Sequence, residues 1–243
     1  MSFVAFDLEI AALLPPDCTD LDAHRPLGIT CAALAWQYDG AILSATICGH
    51  DEGGAITPRM SRGECAALVH LLGDLVAGGR KLLTWAGCGF DFRTLAEESG
   101  CHEACRHLAM GHVDMMYHLF CQQGHALGMD AAARGAGLHG KTDGVRGAQA
   151  PQMWADGCYA EVLAYVAQDV RTTLQVAQAV ERDGCVRWTS RRGRPCNVPI
   201  DRWLTVAEAE RLPLPDTSWM DAPWPRIKFT AWMGQYHQEG FVP

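Results

Sequence analysis

The order of elements in this chain predicts a layered α/β fold, a mixed sheet covered by helices. Three observations carry that reading. An apolar strand-like run, Phe-Val-Ala-Phe-Asp-Leu, occupies residues 3–8. Two further strand candidates, 27–36 and 41–48, flank Asp39-Gly40, a strong two-residue hairpin signal. Residues 161–180 have the spacing of a long amphipathic helix, with Val162, Tyr165, Val166, Asp169, Val170, Thr173, Leu174 and Ala177 along one broad face.

The remaining elements follow from local signals. Residues 11–26, with Pro15, Pro16, Asp17, Asp20, Asp22 and Pro26, read as a loop. Ser61 with Glu64 three residues later has the pattern of a capping box, so a helix is expected from there to about residue 77, where Gly78-Gly79 stops it. Residues 81–85 read as a short strand, followed by a glycine-rich turn and a helix over 90–99. Three more helices are expected over 101–109, 115–123 and 128–135, and an exposed glycine-rich loop with Lys141, Asp143 and Arg146 over 139–151. Beyond Gly184 the composition shifts to Trp, Arg and Pro. The chain therefore divides into a domain over 1–184 and an irregular appendage over 185–243 packed on it, with a strand or two and a short helix over 205–211. It holds no repeat and no low-complexity tract.

Composition narrows the partners. With 243 residues, 49% of them hydrophobic, the chain is long enough for one large cored domain. No run approaches the roughly 18 consecutive apolar residues of a membrane span. Eleven scattered cysteines, without an export signal in the sequence, fit reduced thiols and a cytoplasmic location. The net charge of -8 argues against broad coating of a polyanion. It leaves room for a chain end held in a local site, because two divalent cations would offset half of it. Arg187, Arg191, Arg192 and Arg194 also lie in a stretch with no acid between Cys185 and Ile200.

Four acids stand out by context. Asp7 and Glu9 are two apart on the first strand, so both carboxylates project to one face. Two anions placed together raise the cost of ionising both, which a divalent cation would relieve. Taken alone, the pair better suits a solvated strand end, because two acids at this spacing are a weak motif. Asp91 follows Trp85-Ala86-Gly87-Cys88-Gly89-Phe90 at the start of a helix, where an acid commonly serves as a cap. Asp169 lies four residues after Tyr165, inside an otherwise apolar helical stripe, and an acid there needs a partner or a metal.

Together, Phe6-Asp7-Leu8-Glu9, Trp85 to Asp91 and Tyr165-Val166-Ala167-Gln168-Asp169 resemble the three motifs of the DEDD superfamily of 3′–5′ exonucleases. Tyr165, four before the last acid, marks the tyrosine subclass. The chain is similar to stand-alone relatives of the exonuclease domain of family B DNA polymerases, over roughly residues 1–180. The resemblance implies a ribonuclease-H-like fold and hydrolysis of nucleic-acid 3′ ends to nucleoside 5′-monophosphates. It implies two Mg²⁺ or Mn²⁺ ions held by Asp7, Glu9, Asp91 and Asp169, with Tyr165 orienting the attacking water. Leu8, Ile10, Trp85 and Phe90 are then expected against the terminal nucleotide; apart from the resemblance, Arg191 and Arg194 are candidates for contact with the phosphates. DNA, single-stranded, is favoured over RNA. The family often has Asn where this chain has Ala86 and Thr where it has Ile10, positions that serve the terminal nucleotide rather than the metals. The alternative is a catalytically silent ribonuclease-H-like module that binds nucleic acid or protein.

Other signals carry less. Cys101, His102, Cys105 and His107 suggest a zinc cluster, but the histidines are five apart and no second cysteine pair follows. The arginine stretch around Trp188 suits either a nucleic-acid arm or a solvated hairpin about Gly193. Trp203, Trp219, Trp224 and Trp232 are expected as core anchors of the appendage, which is also the surface left for a homo-oligomer or a protein partner.

Overall fold

β1 (Phe3–Ile10), β2 (Ile29–Tyr38), β3 (Ala41–Cys48), β4 (Lys81–Thr84) and β5 (Val113–Asp114) form one sheet in the order β3-β2-β1-β4-β5. The computed structural model describes residues 2–138 and 147–237. β1 pairs antiparallel with β2 and parallel with β4, so the sheet is mixed, as expected. The hairpin between β2 and β3 turns on Asp39 (φ 48°) and Gly40 (φ 78°). Two consecutive residues in the left-handed region match the twist of the flanking strands.

Alternation along β1 sorts the layers. Val4, Phe6, Leu8 and Ile10 enter one core, which is closed by α1 (Arg62–Ala77), α2 (Asp91–Ser99) and α3 (His102–Gly111). Phe3 and Ala5 enter the other, under α7 (Tyr159–Asp183). Ala33 and Ala35 of β2 also lie on that face, and such small side chains let the long helix approach the sheet closely. α4 (Met115–Gln123) bridges the layers: Met115 and Leu119 join the α7 core, Tyr117 and Cys121 the other. The Ser61–Glu64 capping box forms as its sequence predicts, and α5 (Met129–Gly135) follows α4.

Several expectations change. Of the loop expected over 139–151, residues 139–146, with Lys141, Asp143 and Arg146, lie outside the described residues. The rest is a 3-10 turn (Gly147–Gln149) leading into a helix, α6 (Ala150–Ala155), which starts on Pro151 in its first turn and buries Trp154. β5 is not expected from the sequence, because two residues carry no alternation to read.

The appendage holds a hairpin of β6 (Cys185–Thr189) and β7 (Pro195–Pro199), then α8 (Val206–Ala209) and α9 (Ile227–Thr230). It shares both cores: Val186, Ile200 and Trp203 pack with α7, while Val206, Ala209 and Met233 join the opposite layer. Of its four tryptophans, Trp203 is fully buried and Trp232 half-buried, but Trp219 and Trp224 are 66% and 50% exposed. Those two are not core anchors. All eleven cysteines are free thiols, and burial pushes those of Cys31, Cys65 and Cys105 up to about 12. No helix among the described residues is long and apolar enough to cross a membrane.

A buried histidine makes this fold acid-sensitive. His112 is 1% exposed; its Nδ1–H donates to the Ala109 carbonyl at 2.6 Å, and its Nε2 accepts from the Thr84 hydroxyl at 2.9 Å. Burial pushes its pKa from 6.5 down to about 4. The unfolded chain therefore takes up a proton near pH 6.5 while the folded chain resists until about pH 4. The stability contributed by the neutral ring is complete above pH 6.5 and is lost as pH falls, by about 3 kcal/mol. Urea unfolding of wild type and His112→Phe at pH 7.5 and 4.5 checks this. The stability gap between the two proteins should shift in favour of the variant at low pH; a pH-independent gap would remove the claim.

Candidate active site

Beyond Ala5, β1 continues past the end of β4, whose pairing with it covers only Phe3–Ala5. The parity of Phe3 and Ala5 continues there with Asp7 and Glu9, on the α7 side of the sheet. Their cross-strand neighbours on β2 are Ala33 and Cys31, both small, which leaves space for the carboxylates. Asp169 comes from α7 onto the same face. Oxygen atoms of Asp7, Glu9 and Asp169 lie within 4.8 Å of one another, and among the described residues this is the one such convergence of His, Cys, Asp or Glu ligand atoms. Asp7 is half-buried, whereas Glu9 and Asp169 are 8% and 4% exposed.

Asp91 stands outside that convergence, at the edge of β1. It does not cap its own helix; that position belongs to Phe90, and no side-chain cap is made. Its carboxylate instead accepts the Leu8 N–H at 3.2 Å, taking the place of the strand partner that β4 no longer provides. Burial holds the Asp91 carboxyl well above the ordinary carboxylate range, and the negative charges of Asp7, Asp114 and Glu9 add to that, against the Leu8 hydrogen bond. Tyr165, one turn before Asp169, is 4% exposed and its hydroxyl is hydrogen-bonded to Asp169. Burial, then the charges of Asp169 and Glu9, push the phenol pKa up, so it stands there neutral.

The glycine-rich turn after β4 is shaped by a residue that sequence reasoning missed. Asp114 accepts from the backbone N–H groups of Ala86 (3.0 Å), Cys88 (2.9 Å) and Tyr117 (2.9 Å). One carboxylate thus caps α4 and fixes the turn that leads to Asp91. The available signal was an acid directly before a helix start, within the apolar run Val113 to Phe120. Thr84 accepts the Gly87 N–H at 3.1 Å, and a Cβ on Gly87 would meet that side chain at 2.6–2.7 Å, so only glycine fits.

Asp7 and Asp169 open into a cleft of about 400 Å³, whose walls include Trp85, Ala86, Leu127, Met129, Trp224 and Phe229. Trp85 is held by its indole N–H, which donates to the Leu127 carbonyl at 3.0 Å. The other expected nucleotide contacts fall elsewhere. Leu8 and Ile10 are 2% and 7% exposed in the core beneath α1 and α2, on the sheet face opposite the acids. The period-two rule that pairs Asp7 with Glu9 is the same rule that turns Leu8 away. Phe90 is half-buried and packs against that core rather than lining the cleft. Arg191 and Arg194 are exposed on the β6–β7 turn and do not line the cleft either. Cys105 is fully buried in α3, with His102 and His107 exposed on the same helix.

The donor set suits a hard cation. It consists of oxygen only, concentrates several negative charges in a largely dry site, and leaves one side open to the cleft. Such clustered carboxylates disfavour one another's ionisation unless a cation is shared between them.

Comparison with known proteins places the fold. No curated protein sequence matches the chain. The structure resembles that of the family B DNA polymerase from the hyperthermophilic archaeon Pyrobaculum calidifontis, with a TM-score of 0.51 and 17% identity over 74% of this chain. The match covers 24% of the polymerase, so this chain spans about a quarter of that protein's length. At that identity the likeness speaks for the fold. The RNase_H superfamily model matches residues 52–181, more than half of the sequence and including Asp91, Tyr165 and Asp169. With the mixed five-stranded sheet and its flanking helices, that match identifies the chain as a member of the RNase H superfamily.

Proposed function

We propose that this protein is a metal-dependent 3′–5′ exonuclease of the tyrosine DEDD type, releasing nucleoside 5′-monophosphates from nucleic-acid ends, single-stranded DNA above all. The observation that supports it is the meeting of Asp7, Glu9 and Asp169 at a cleft, with Tyr165 bonded to Asp169 and Asp91 on the Leu8 N–H at the edge of β1. In this reading residues 1–184 form the nuclease domain and 185–243 an appendage that walls the cleft.

Asp7, Glu9 and Asp169 would hold a pair of Mg²⁺ or Mn²⁺ ions, with Asp91 in support. The chemistry such a pair supplies when bound is a lowered pKa for the attacking water and stabilisation of the leaving 3′ oxygen. The chain's own residues do the rest. Tyr165 orients the water through its hydroxyl. Trp85 packs on the terminal nucleotide from the wall of the cleft. Asp91 fixes the strand that carries Asp7 and Glu9 by holding the Leu8 N–H.

The test is an end-labelled degradation panel over single- and double-stranded DNA and RNA, with Mn²⁺, with Mg²⁺ and with chelator. Mononucleotides released stepwise from 3′ ends, only with metal, are expected. Binding without release would leave a silent module in its place.

The exposed arginines of the β6–β7 turn give a separate expectation. Replacing Arg191, Arg192 and Arg194 with Ala should weaken single-strand binding and flatten its salt dependence. The log–log slope should change by about 0.7 for each phosphate that the variant no longer neutralises. An unchanged slope would leave that turn solvated and without a role in binding.

A further inference from the structure

We infer that Trp224, with Lys228 over one face of its ring, is a stacking platform for a base upstream of the terminal nucleotide, so that the C-terminal segment completes the substrate site. This rests on the exonuclease reading of the acid cleft and goes beyond it. Two features set Trp224 apart from a packing tryptophan. It lines the same cleft as Asp7 and Asp169, and half of its surface remains exposed. It also forms part of a second, mostly apolar groove of about 350 Å³, between Phe120 and Leu214, so one indole borders both spaces. A strand leaving the acids would pass over it.

The segment is held rigidly, which is what a platform needs. The Arg226 guanidinium donates to four carbonyls: Glu210 at 2.9 Å, Leu212 at 2.7 Å, Cys121 at 2.8 Å and Pro213 at 2.7 Å. The Phe229 ring is locked edge-on against Phe120 (4.8 Å) and Tyr117 (5.6 Å). The Trp232 indole N–H donates to the Cys88 carbonyl at 2.8 Å, tying the segment to the turn that leads to Asp91.

The chemistry selects the occupant. The Lys228 ammonium lies 3.3 Å from the centroid of the Trp224 ring, which places an exposed cation at the rim of a cleft whose floor is acidic. With the ammonium over one face of the indole, a base would stack on the other face, and the cation supplies charge for its phosphate. Every base has a face to stack, so the contact tolerates any sequence. The terminal nucleotide, next to the acids and Trp85, lies inside this platform.

Full-length wild type, Trp224→Ala, Trp224→Phe and Trp224→Leu should be compared in two assays. The first measures Kd for a 5′-fluorescein-labelled oligothymidylate in chelator, where hydrolysis does not interfere. Trp224→Ala and Trp224→Leu should raise Kd by about 5- to 150-fold, the range of one base–aromatic stack, with Trp224→Phe remaining close to wild type. The second follows hydrolysis of the p-nitrophenyl ester of thymidine 5′-monophosphate with Mn²⁺. This substrate lacks the upstream base, so Trp224→Ala should change its turnover by less than it changes the oligothymidylate Kd, although Trp224 shares the cleft with the acids.

An oligothymidylate Kd that stays within about twofold in Trp224→Ala overturns the platform. Rescue by Leu as well as Phe also overturns it, since apolar packing alone would then explain the residue. Absence of metal-dependent hydrolysis in wild type, with the Kd pattern intact, would instead remove the exonuclease reading and leave a base-stacking surface.

Discussion

Asp169→Asn is expected to abolish metal-dependent release of mononucleotides, a loss of at least about 10³-fold, because positioning divalent charge at a phosphodiester is worth several kcal/mol. Asp169 meets Asp7 and Glu9 within 4.8 Å and has no role in the hydrophobic core that would explain its burial. The same substitution has a second signature. Without metal, each acid in the cluster raises the cost of ionising its neighbours; the Asp91 carboxyl, raised first by burial, is raised further by the charge of Asp7. Neutralising one acid therefore stabilises the metal-free protein, with each kcal/mol of relieved repulsion raising its Tm by about 2–4 °C. In wild type, adding Mn²⁺ should raise Tm, as a ligand that binds only the folded state must. In Asp169→Asn that rise should vanish. Loss of activity with the Mn²⁺ shift intact would move Asp169 from metal binding to substrate binding. Full activity would reject the site.

The parts of this site that are legible in the sequence are those carried by a short period. Asp7 and Glu9 declare a shared face through i, i+2 spacing, and Tyr165 and Asp169 do so through i, i+4 on a helix whose apolar stripe is evident. Asp91 stands out by its motif, yet its local context points to helix capping. Its actual partner, the Leu8 N–H, is 83 residues away and exists because β4 stops short of it. No local pattern encodes where a neighbouring strand ends. Leu8 and Ile10 fail as nucleotide contacts for the opposite reason: strand alternation alone sends them to the core, and it prevails over the role that the family resemblance implies. Asp114 is hidden because the backbone N–H groups it takes at Ala86 and Cys88 lie in another element. The tail is least legible. Its tryptophans have the composition of a core, yet Trp203 is buried in the α7 layer, with its indole N–H on the Ala177 carbonyl at 3.4 Å, while Trp224, next to the Arg226 anchor, stays half exposed.

Tyr165→Phe should lower turnover by roughly 10²- to 10⁴-fold, the range for a group positioned to assist proton transfer, while the Mn²⁺-dependent rise in Tm persists. The two readouts separate the tyrosine from the acids. Phe keeps the ring, and with it the packing of a side chain that is 4% exposed, and removes only the hydroxyl bonded to Asp169. If that hydroxyl orients the attacking water, its loss falls on kcat and leaves KM nearly unchanged, because the interaction is used in the transition state rather than in ground-state binding. If instead it served only to hold Asp169 in place, the variant would bind Mn²⁺ more weakly and higher metal concentration would restore its rate. A kcat deficit that persists at saturating Mn²⁺ thus assigns Tyr165 to the water. Recovery at high metal would assign it to the carboxylate, and the same ring would then be a positioning residue rather than a catalytic one.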